Sequence, residues 1–480
     1  MSNKINRLGL IKLSLAGLCF AVGASALAKG GNVPSPNIIH IIADDVGYDD
    51  LSCYGAKDIK TPNLDRLGAR GITFTDFYAP HPTCTPSRAA ILTGRYASRV
   101  NDGAGLSILW PGTQDGLDPD QEICLAKILK QQGYTTSLVG KWHLGDLDKY
   151  LPLQHGFDEY FGIPHPNDHG PERDGNTGSK GCLVIPLYRG NEVVERLDNN
   201  ALSEVPGRFV REVCGFIRRQ AESGKPFYLQ YSNIETHTPW FVPKGFEGQS
   251  EAGPYGDAVE YMDRSIGIIL GQLRTSGLEK NTLVVFTSDN GPLAHAYPEL
   301  EDCYGKYAQV DVPRANARLL QDGKYQARYE GGCRVACIMN WPDRIPAGVV
   351  DHNIVDGTDL FTTFIELAGA KVPEDRVIDG QNIWHLMSGT SAEPVRDVFF
   401  SWVPKRNLMG VRKGKWKLLV PGKGNWAIEP QRKPALFDLE KDPGEKTDLS
   451  AERPEVVQEL LDLVRQARKD LEKNRPFTRF

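Results

Sequence analysis

Side-chain oxygens occur in pairs at two distant points of this chain, Asp44 with Asp45 and Asp289 with Asn290. Carboxylate and amide oxygens are hard ligands, suited to calcium or magnesium rather than zinc. Taken alone, Asp289-Asn290-Gly291 would pass as turn chemistry. The tandem aspartates change that reading, because crowded carboxylates repel unless a cation lies between them. Lys141 with His143, and Glu235 with His237, add positive charge and groups that exchange protons near neutral pH. Cys84, in the run Cys84-Thr85-Pro86-Ser87-Arg88, would in isolation be a small buried thiol. The cysteines are scattered and form no CxxC pair or His/Cys cluster for structural zinc.

The elements that would carry these residues are short apolar runs. Residues 37–42 lead into the tandem aspartates, 135–139 into Lys141 and His143, 227–231 into Glu235 and His237, and 283–286 into Asp289 and Asn290. Runs without polar alternation fit strands covered on both faces of a mostly parallel α/β sheet, with helices expected at 126–132, 210–219 and 258–273. In such sheets ligands bind beyond the carboxyl ends of the strands, so the four polar pairs are expected on one rim. Gly389, Ser391 and Pro394 mark a boundary within 386–404. Strand-like runs at 407–411, 416–419 and 435–438 then predict a small antiparallel sheet. A closing helix from Pro454 carries Val457, Leu460, Leu461, Val464 and Leu471 as a packing stripe.

With 480 residues, 40% apolar and 24% charged, the chain has a globular balance and length for two or three domains. Its 56 basic and 61 acidic residues give a net charge of −5 and no basic field for gripping nucleic acid. Lys4, Arg7 and Lys12 precede an apolar stretch ending in Ala26-Leu27-Ala28, the pattern of a secretory signal over residues 1–28. Its apolar run, 13–22, is too short to span a bilayer. The expected product is exported, periplasmic or secreted, with no membrane anchor. Leu18 before Cys19 argues against lipid attachment. Losing three basic residues leaves 53 against 61, a net charge of −8.

The run Cys84-Thr85-Pro86-Ser87-Arg88-Ala89-Ala90-Ile91-Leu92-Thr93-Gly94 resembles the sulfatase signature, C-x-P-S-R followed three residues later by L-T-G, at every fixed position. The resemblance extends through Gly140-Lys141-Trp142-His143-Leu144-Gly145, His155-Gly156-Phe157-Asp158, Ser288-Asp289-Asn290-Gly291, Glu330-Gly331-Gly332 and Leu436-Phe437-Asp438-Leu439. It implies an alkaline-phosphatase-like α/β fold: a large, mixed, mostly parallel sheet flanked by helices, then a smaller antiparallel sheet and a terminal helix. The corresponding divisions are a catalytic domain over 29–390 and a C-terminal domain over 391–480.

The same resemblance implies that a maturation enzyme oxidises Cys84 to formylglycine, an aldehyde that hydrates to a diol. One diol oxygen would attack sulfur and the other would later expel sulfate. Pro86 is placed to begin a helix, which would set the nucleophile and Arg88 at an anion-favouring amino end. The metal implied is one Ca²⁺, with Mg²⁺ as the lesser alternative, held by Asp44, Asp45, residue 84, Asp289 and Asn290. Lys141 would contact the sulfate, His143 would take the diol proton, and His237 would protonate the leaving group. Family members commonly place a last lysine five residues before the glutamate of E-G-G, where this chain has Tyr325. Lys324, displaced by one, is assigned that role, with Arg328 as the alternative source of charge.

The expected reaction is hydrolysis of a sulfate monoester of a carbohydrate. A phosphonate or phosphodiester hydrolase of the same superfamily is the nearest rival, and a noncatalytic carbohydrate-binding relative the more distant one. The H-G-F-D element, with Phe157 buried, reads as a folding element. The polar stretch with His165, Asp168, His169, Glu172 and Arg173 is either a pocket wall or a surface loop. The run 293–321, with Tyr297, Tyr304, Tyr307 and Arg314, is a candidate specificity loop.

Overall fold

A computed structural model describes residues 35–168, 185–293, 319–403, 407–423 and 431–474. The expected signal segment lies outside the described residues. So do His169, Glu172, Arg173, Tyr297, Tyr304, Tyr307, Arg314, Cys19, Cys182 and Cys303.

Among the described residues up to 356, the chain builds twelve strands. They are β1 (Asn37–Ala43), β2 (Ile72–Phe74), β3 (Phe77–Tyr78), β4 (Thr135–Lys141), β5 (Glu159–Ile163), β6 (Ile185–Arg189), β7 (Glu192–Leu197), β8 (Phe227–Ser232), β9 (Thr282–Ser288), β10 (Cys337–Asn340), β11 (Val349–Asp351) and β12 (Val355–Asp356). Ten of these form one sheet in the order β11-β2-β10-β9-β1-β8-β4-β5-β6-β7, while β3 pairs with β12. The central run β9-β1-β8-β4-β5 is parallel throughout. Antiparallel pairings of β10 with β9 and of β6 with β5 flank it.

Both faces of this sheet are covered, which explains the apolar runs. Ile39 and Ile41 of β1 pack into a core with Leu64 of α1 (Pro62–Ala69), Phe209 and Val213 of α4 (Asn199–Ser223) and Ile266 of α5 (Gly253–Thr275). Ile38 points the other way, since successive side chains on a strand alternate faces. It joins Leu92 of α2 (Cys84–Thr93), Leu125 of α3 (Leu125–Gln131) and Phe364 of a later helix, α6 (Asp359–Leu367). Helix α2 is buried along its whole length, and Gly94 ends it at φ 67. A Cβ at Gly94 would lie 2.4 Å from the Phe361 ring, so only glycine meets both the left-handed turn and the close approach.

Three expectations are extended. Five strands run one or two residues past their predicted ends, and α4 starts eleven residues before 210. Helix α2 starts at Cys84 rather than at Pro86. Proline is tolerated in a first helical turn because that turn needs no N–H there, so Pro86 sits third. Arg88 therefore lies in the second turn. The boundary stretch 386–404 contains the end of a short helix, α7 (Trp384–Met387), and a strand the sequence reading omits, β13 (Val398–Val403). With β14 (Asn407–Lys413), β15 (Trp416–Leu419) and β16 (Ala435–Asp438), β13 makes a four-stranded antiparallel sheet. The terminal helix α8 (Pro454–Glu472) packs Leu460, Val464 and Leu471 against Phe400, Trp402 and Val411 of that sheet.

Candidate active site

Because β1, β4, β8 and β9 are parallel, the segments that leave their carboxyl ends emerge on one edge. Lys141, the last residue of β4, is fully buried and sets its Nζ 2.6 Å from Asp44 Oδ2. Arg88 reaches in from α2, with Nε 2.8 Å from Asp289 Oδ2 and Nη2 3.8 Å from Asp44 Oδ2. Lys324 places Nζ 2.7 Å from Asp45 Oδ2 and 2.9 Å from His237 Nε2. Asn290 Nδ2 donates to Asp45 Oδ1 at 2.8 Å. The chain thus brings Asp44, Asp45, Asp289, Asn290, Arg88, Lys141, Lys324 and His237 into one buried cluster, beside α2 and Cys84.

The electrostatics follow from that packing. Burial opposes the charge on Asp44, but Lys141, His237, Arg88 and Lys324 outweigh it and hold the carboxyl well below its ordinary range. Burial dominates at Asp289, raising it to about 6 against the pull of Arg88. Burial also raises the Cys84 thiol, so an unmodified Cys84 is a poor nucleophile at neutral pH. His237 falls to about 3, through burial and then through Lys324, and is neutral at pH 7.

Hydrogen bonds assign the two histidines their tautomers. A carbonyl only accepts, so His237 donates from Nδ1 to the Thr238 carbonyl at 2.5 Å and presents the Nε2 lone pair to the Lys324 ammonium. His143 donates from Nε2 to the Leu109 carbonyl at 3.1 Å, which makes Nδ1 its basic nitrogen. His143 has a left-handed backbone, φ 60, and its ring meets that of His165 edge-on at 5.7 Å.

The donor set fits a hard cation. Asp44, Asp45 and His237 each offer one ligand atom within 4.8 Å of the others. Both nitrogens of His237 are engaged, however, which leaves oxygen donors. Asp44 Oδ1 and Asn290 Oδ1 are buried and have no hydrogen-bond partner. Buried acceptors without donors are costly, and a cation at their lone pairs removes that cost.

Several sequence expectations are refined here. Lys324 enters the cluster, whereas Arg328 acts on Asp322. The backbone turns left-handed at Asp322 and Tyr325, and N–H bonds from Lys324 to Pro292 O (2.8 Å) and Tyr325 to Pro82 O (2.7 Å) pin the loop. Glu235 does not join the cluster. It folds back to accept from the Ile234 N–H at 3.0 Å, and burial raises it to about 7. His155 and Phe157 are buried as a folding element. Asp168 Oδ1 lies 3.9 Å from His237 Nδ1, and His165 Nε2 lies 3.1 Å from Asp146 Oδ2, so these two residues of the polar stretch do flank the site. The Leu109 carbonyl escaped sequence reading, since a backbone acceptor leaves no residue-type signal.

Comparison with known proteins identifies the family. The sulfatase family model matches residues 36–370, and a model described as the C-terminal part of N-sulphoglucosamine sulphohydrolase matches 322–474. The chain is 35% identical over 496 aligned positions to the dog (Canis lupus familiaris) N-acetylgalactosamine-6-sulfatase, covering 96% of this chain and 91% of that one. It is 36% identical to cattle (Bos taurus) arylsulfatase A, covering 92% and 89%. A solved 6S-sulfatase from a study of glycosaminoglycan metabolism by Bacteroides thetaiotaomicron superposes with a TM-score of 0.75 at 27% identity, covering 91% and 99%. On the signature around Cys84, the rim cluster and these likenesses over nearly its full length, the chain belongs to the sulfatase family of sulfuric ester hydrolases.

Proposed function

We propose that the protein is an exported sulfatase that removes sulfate from a carbohydrate monoester by S–O cleavage. In this reading Cys84 is converted to formylglycine by a maturation enzyme, and one Ca²⁺ is held by Asp44, Asp45, residue 84, Asp289 and Asn290. The observation that carries it is the charge balance of the buried cluster. Three carboxylates (Asp44, Asp45, Asp289) face three cations (Arg88, Lys141, Lys324), and acceptor oxygens of Asp44 and Asn290 are still unmatched. A divalent cation at those oxygens adds an excess of two charges, of which a bound sulfate monoester offsets one and the released sulfate dianion both. The sugar and glycosaminoglycan names among the relatives support the carbohydrate class.

When bound, the cation would draw charge from the sulfate oxygens and acidify the nucleophile. The oxidised residue 84 would supply an oxygen nucleophile in place of a thiol. Arg88 and Lys141 bind the sulfate, preorganised by their carboxylate partners. Lys324 and His237 share a proton path of 2.9 Å. In the resting site that proton stays on Lys324, because His237 is neutral. As negative charge builds on the departing alcohol oxygen, that oxygen takes the place of Lys324 at His237 Nε2 and receives the proton there, leaving Lys324 neutral. His143, oriented by Leu109, accepts a proton at Nδ1 when sulfate is expelled.

Mass spectrometry of the residue 84 peptide, elemental analysis for calcium, and amino-terminal sequencing after Ala28 test the three parts separately. Expected outcomes are the aldehyde form, one calcium per chain, and a mature chain lacking residues 1–28. Turnover of 4-nitrophenyl sulfate should exceed that of 4-nitrophenyl phosphate and phenylphosphonate esters about 100-fold. Active protein with an unmodified Cys84 thiol overturns the nucleophile, and a preference for phosphonate esters favours the rival hydrolase.

A further inference from the structure

The sheet stops short of the tandem aspartates. Backbone bonds carry β1 as far as Ile42, whose carbonyl accepts the Asn233 N–H at 2.9 Å, and Ala43, whose carbonyl accepts the Asp289 N–H at 3.0 Å. Asp45 is left-handed, φ 62, and a residue in that conformation cannot continue a strand. Asp44, Asp45 and Val46 are all buried, and buried backbone groups need partners. The turn that presents the two carboxylates must therefore be held from outside the sheet.

Two buried hydroxyls do this. Thr236, between Glu235 and His237, donates from Oγ1 to the Asp44 carbonyl at 2.5 Å, and its own carbonyl is fixed by Trp240 Nε1 at 3.1 Å. Ser288, the last residue of β9, accepts the Val46 N–H at Oγ over 3.0 Å and donates its proton to the Asn290 carbonyl at 2.9 Å. A hydroxyl has one proton to give and lone pairs to receive, so both bonds of Ser288 form together. One oxygen thus ties the backbone after Asp45 to the backbone after Asp289.

The two segments joined in this way each carry one of the unmatched acceptors. Asp44 Oδ1 belongs to the first and Asn290 Oδ1 to the second. Asn290 Nδ2 spends its two protons on Asp45 Oδ1 and the Gly291 carbonyl, each at 2.8 Å, so the amide is fixed with Oδ1 left over. A cation shared by these oxygens feels the distance between the segments. Calcium takes oxygens at about 2.3–2.6 Å in flexible geometry, whereas magnesium demands about 2.0–2.1 Å in a near-ideal octahedron. Spacing between the segments then sets both the strength of binding and the choice of ion.

We infer that Ser288 and Thr236 are positioning residues, which act through Asp44, Asp45 and Asn290 to hold the two segments at calcium spacing. The inference rests on the calcium reading above and adds what fixes the geometry of that site. The test is calorimetric titration of chelator-stripped protein with calcium chloride and with magnesium chloride. Ser288→Ala and Thr236→Val each delete a hydroxyl with little change of shape, and each is expected to weaken calcium binding about tenfold. Each should also lower the ratio of calcium to magnesium affinity at least threefold, because a looser pair of segments no longer excludes the smaller ion. Thr236→Ser, which keeps the hydroxyl, should bind calcium within twofold of the parent. An unchanged ratio removes the residue concerned from the role, even where the variant melts lower, and unchanged ratios in both overturn the inference. If Thr236→Val does not fold, Ser288→Ala decides alone. A parent that binds no calcium overturns the calcium reading and the inference with it, whereas a parent that binds calcium no better than its variants overturns the positioning role only.

Discussion

Among the buried charge clusters of the described residues, two invite comparison, one at the rim of the proposed active site and one where the large sheet meets the small one. In the second, Glu330 binds Lys417 through Oε1 at 2.6 Å and the Tyr78 hydroxyl through Oε2. Arg412 and Arg334 both hold Asp76 Oδ1, at 2.6 and 2.7 Å. Every side-chain polar atom of Glu330, Asp76, Arg334, Arg412, Lys417 and Tyr78 that is buried has a partner. The unmatched neighbour is Glu445 Oε1, on a carboxyl that burial raises to about 8 and so keeps protonated near neutral pH. The rim cluster has the same kinds of residue but leaves Asp44 Oδ1, Asn290 Oδ1, Ser87 Oγ and Arg88 Nη2 without hydrogen bonds. Saturation marks a lock, and unmet polar capacity marks a site that awaits ligands.

That contrast is tested most severely at the proposed nucleophile, residue 84. Cys84→Ala should lower sulfate ester turnover on the order of 10⁴-fold or more while leaving the melting temperature close to that of the parent. Comparable activity in the variant removes residue 84 from the mechanism. Lys324→Ala comes next, with an expected loss of about 10²- to 10³-fold, the usual cost of one preorganised charge donor. It also strips Asp45 of its nearest cation, so the variant should melt lower in chelator and recover when calcium is added. Near-normal turnover in Lys324→Ala, with a large loss in Arg328→Ala, would reverse the assignment of that role.

Much of the rim was legible because it depends on local sequence. Ile38 and Ile39 enter opposite cores, so β1 must read as an unbroken apolar run, and the residues that follow such a run in a parallel sheet must reach the ligand edge. The signature at Cys84 also carries its geometry with it, as one buried helix. What was illegible depends on contacts distant in sequence. The place of Lys324 is fixed by bonds to Pro292 and Pro82 and by left-handed turns that spacing alone cannot reveal. Glu235 follows a strand as His237 does, yet the chain turns it back onto Ile234. Strand β13 starts just after Gly389, Ser391 and Pro394, and the boundary signal of those residues hid it. The lock itself was invisible except as E-G-G, whose glycines are packed against distant backbone: a Cβ on Gly332 would lie 1.6 Å from Gln326 O and one on Gly331 2.3 Å from Gln321 O.

Removing Lys417 probes the lock. Lys417→Met should destabilise the fold by about 3 kcal/mol, since it leaves the Glu330 charge buried and underpaired. Calcium should not restore that loss, in contrast to Lys324→Ala. Chemical denaturation with and without calcium distinguishes the two, and equal rescue of both variants would erase the distinction between lock and site.

The smallest expected effect is the response of the lock to acid. Burial alone would raise Glu330, but Lys417, Arg412 and Arg334 outweigh it and hold the carboxyl at about 2, below its ordinary 4.5. A carboxyl with a lower pKa in the folded state stabilises the fold above its unfolded value, and that contribution disappears as pH falls through the folded value. Glu330 therefore contributes fully above about pH 4.5 and loses its contribution between there and pH 2, a change of at most about 3 kcal/mol. In Lys417→Met the chief charge that depresses Glu330 is gone, so the fall in stability over this range should be shallower. Denaturation curves at half-unit pH steps would show it, and parallel pH profiles for parent and variant would mean that Lys417 does not set the ionisation of Glu330.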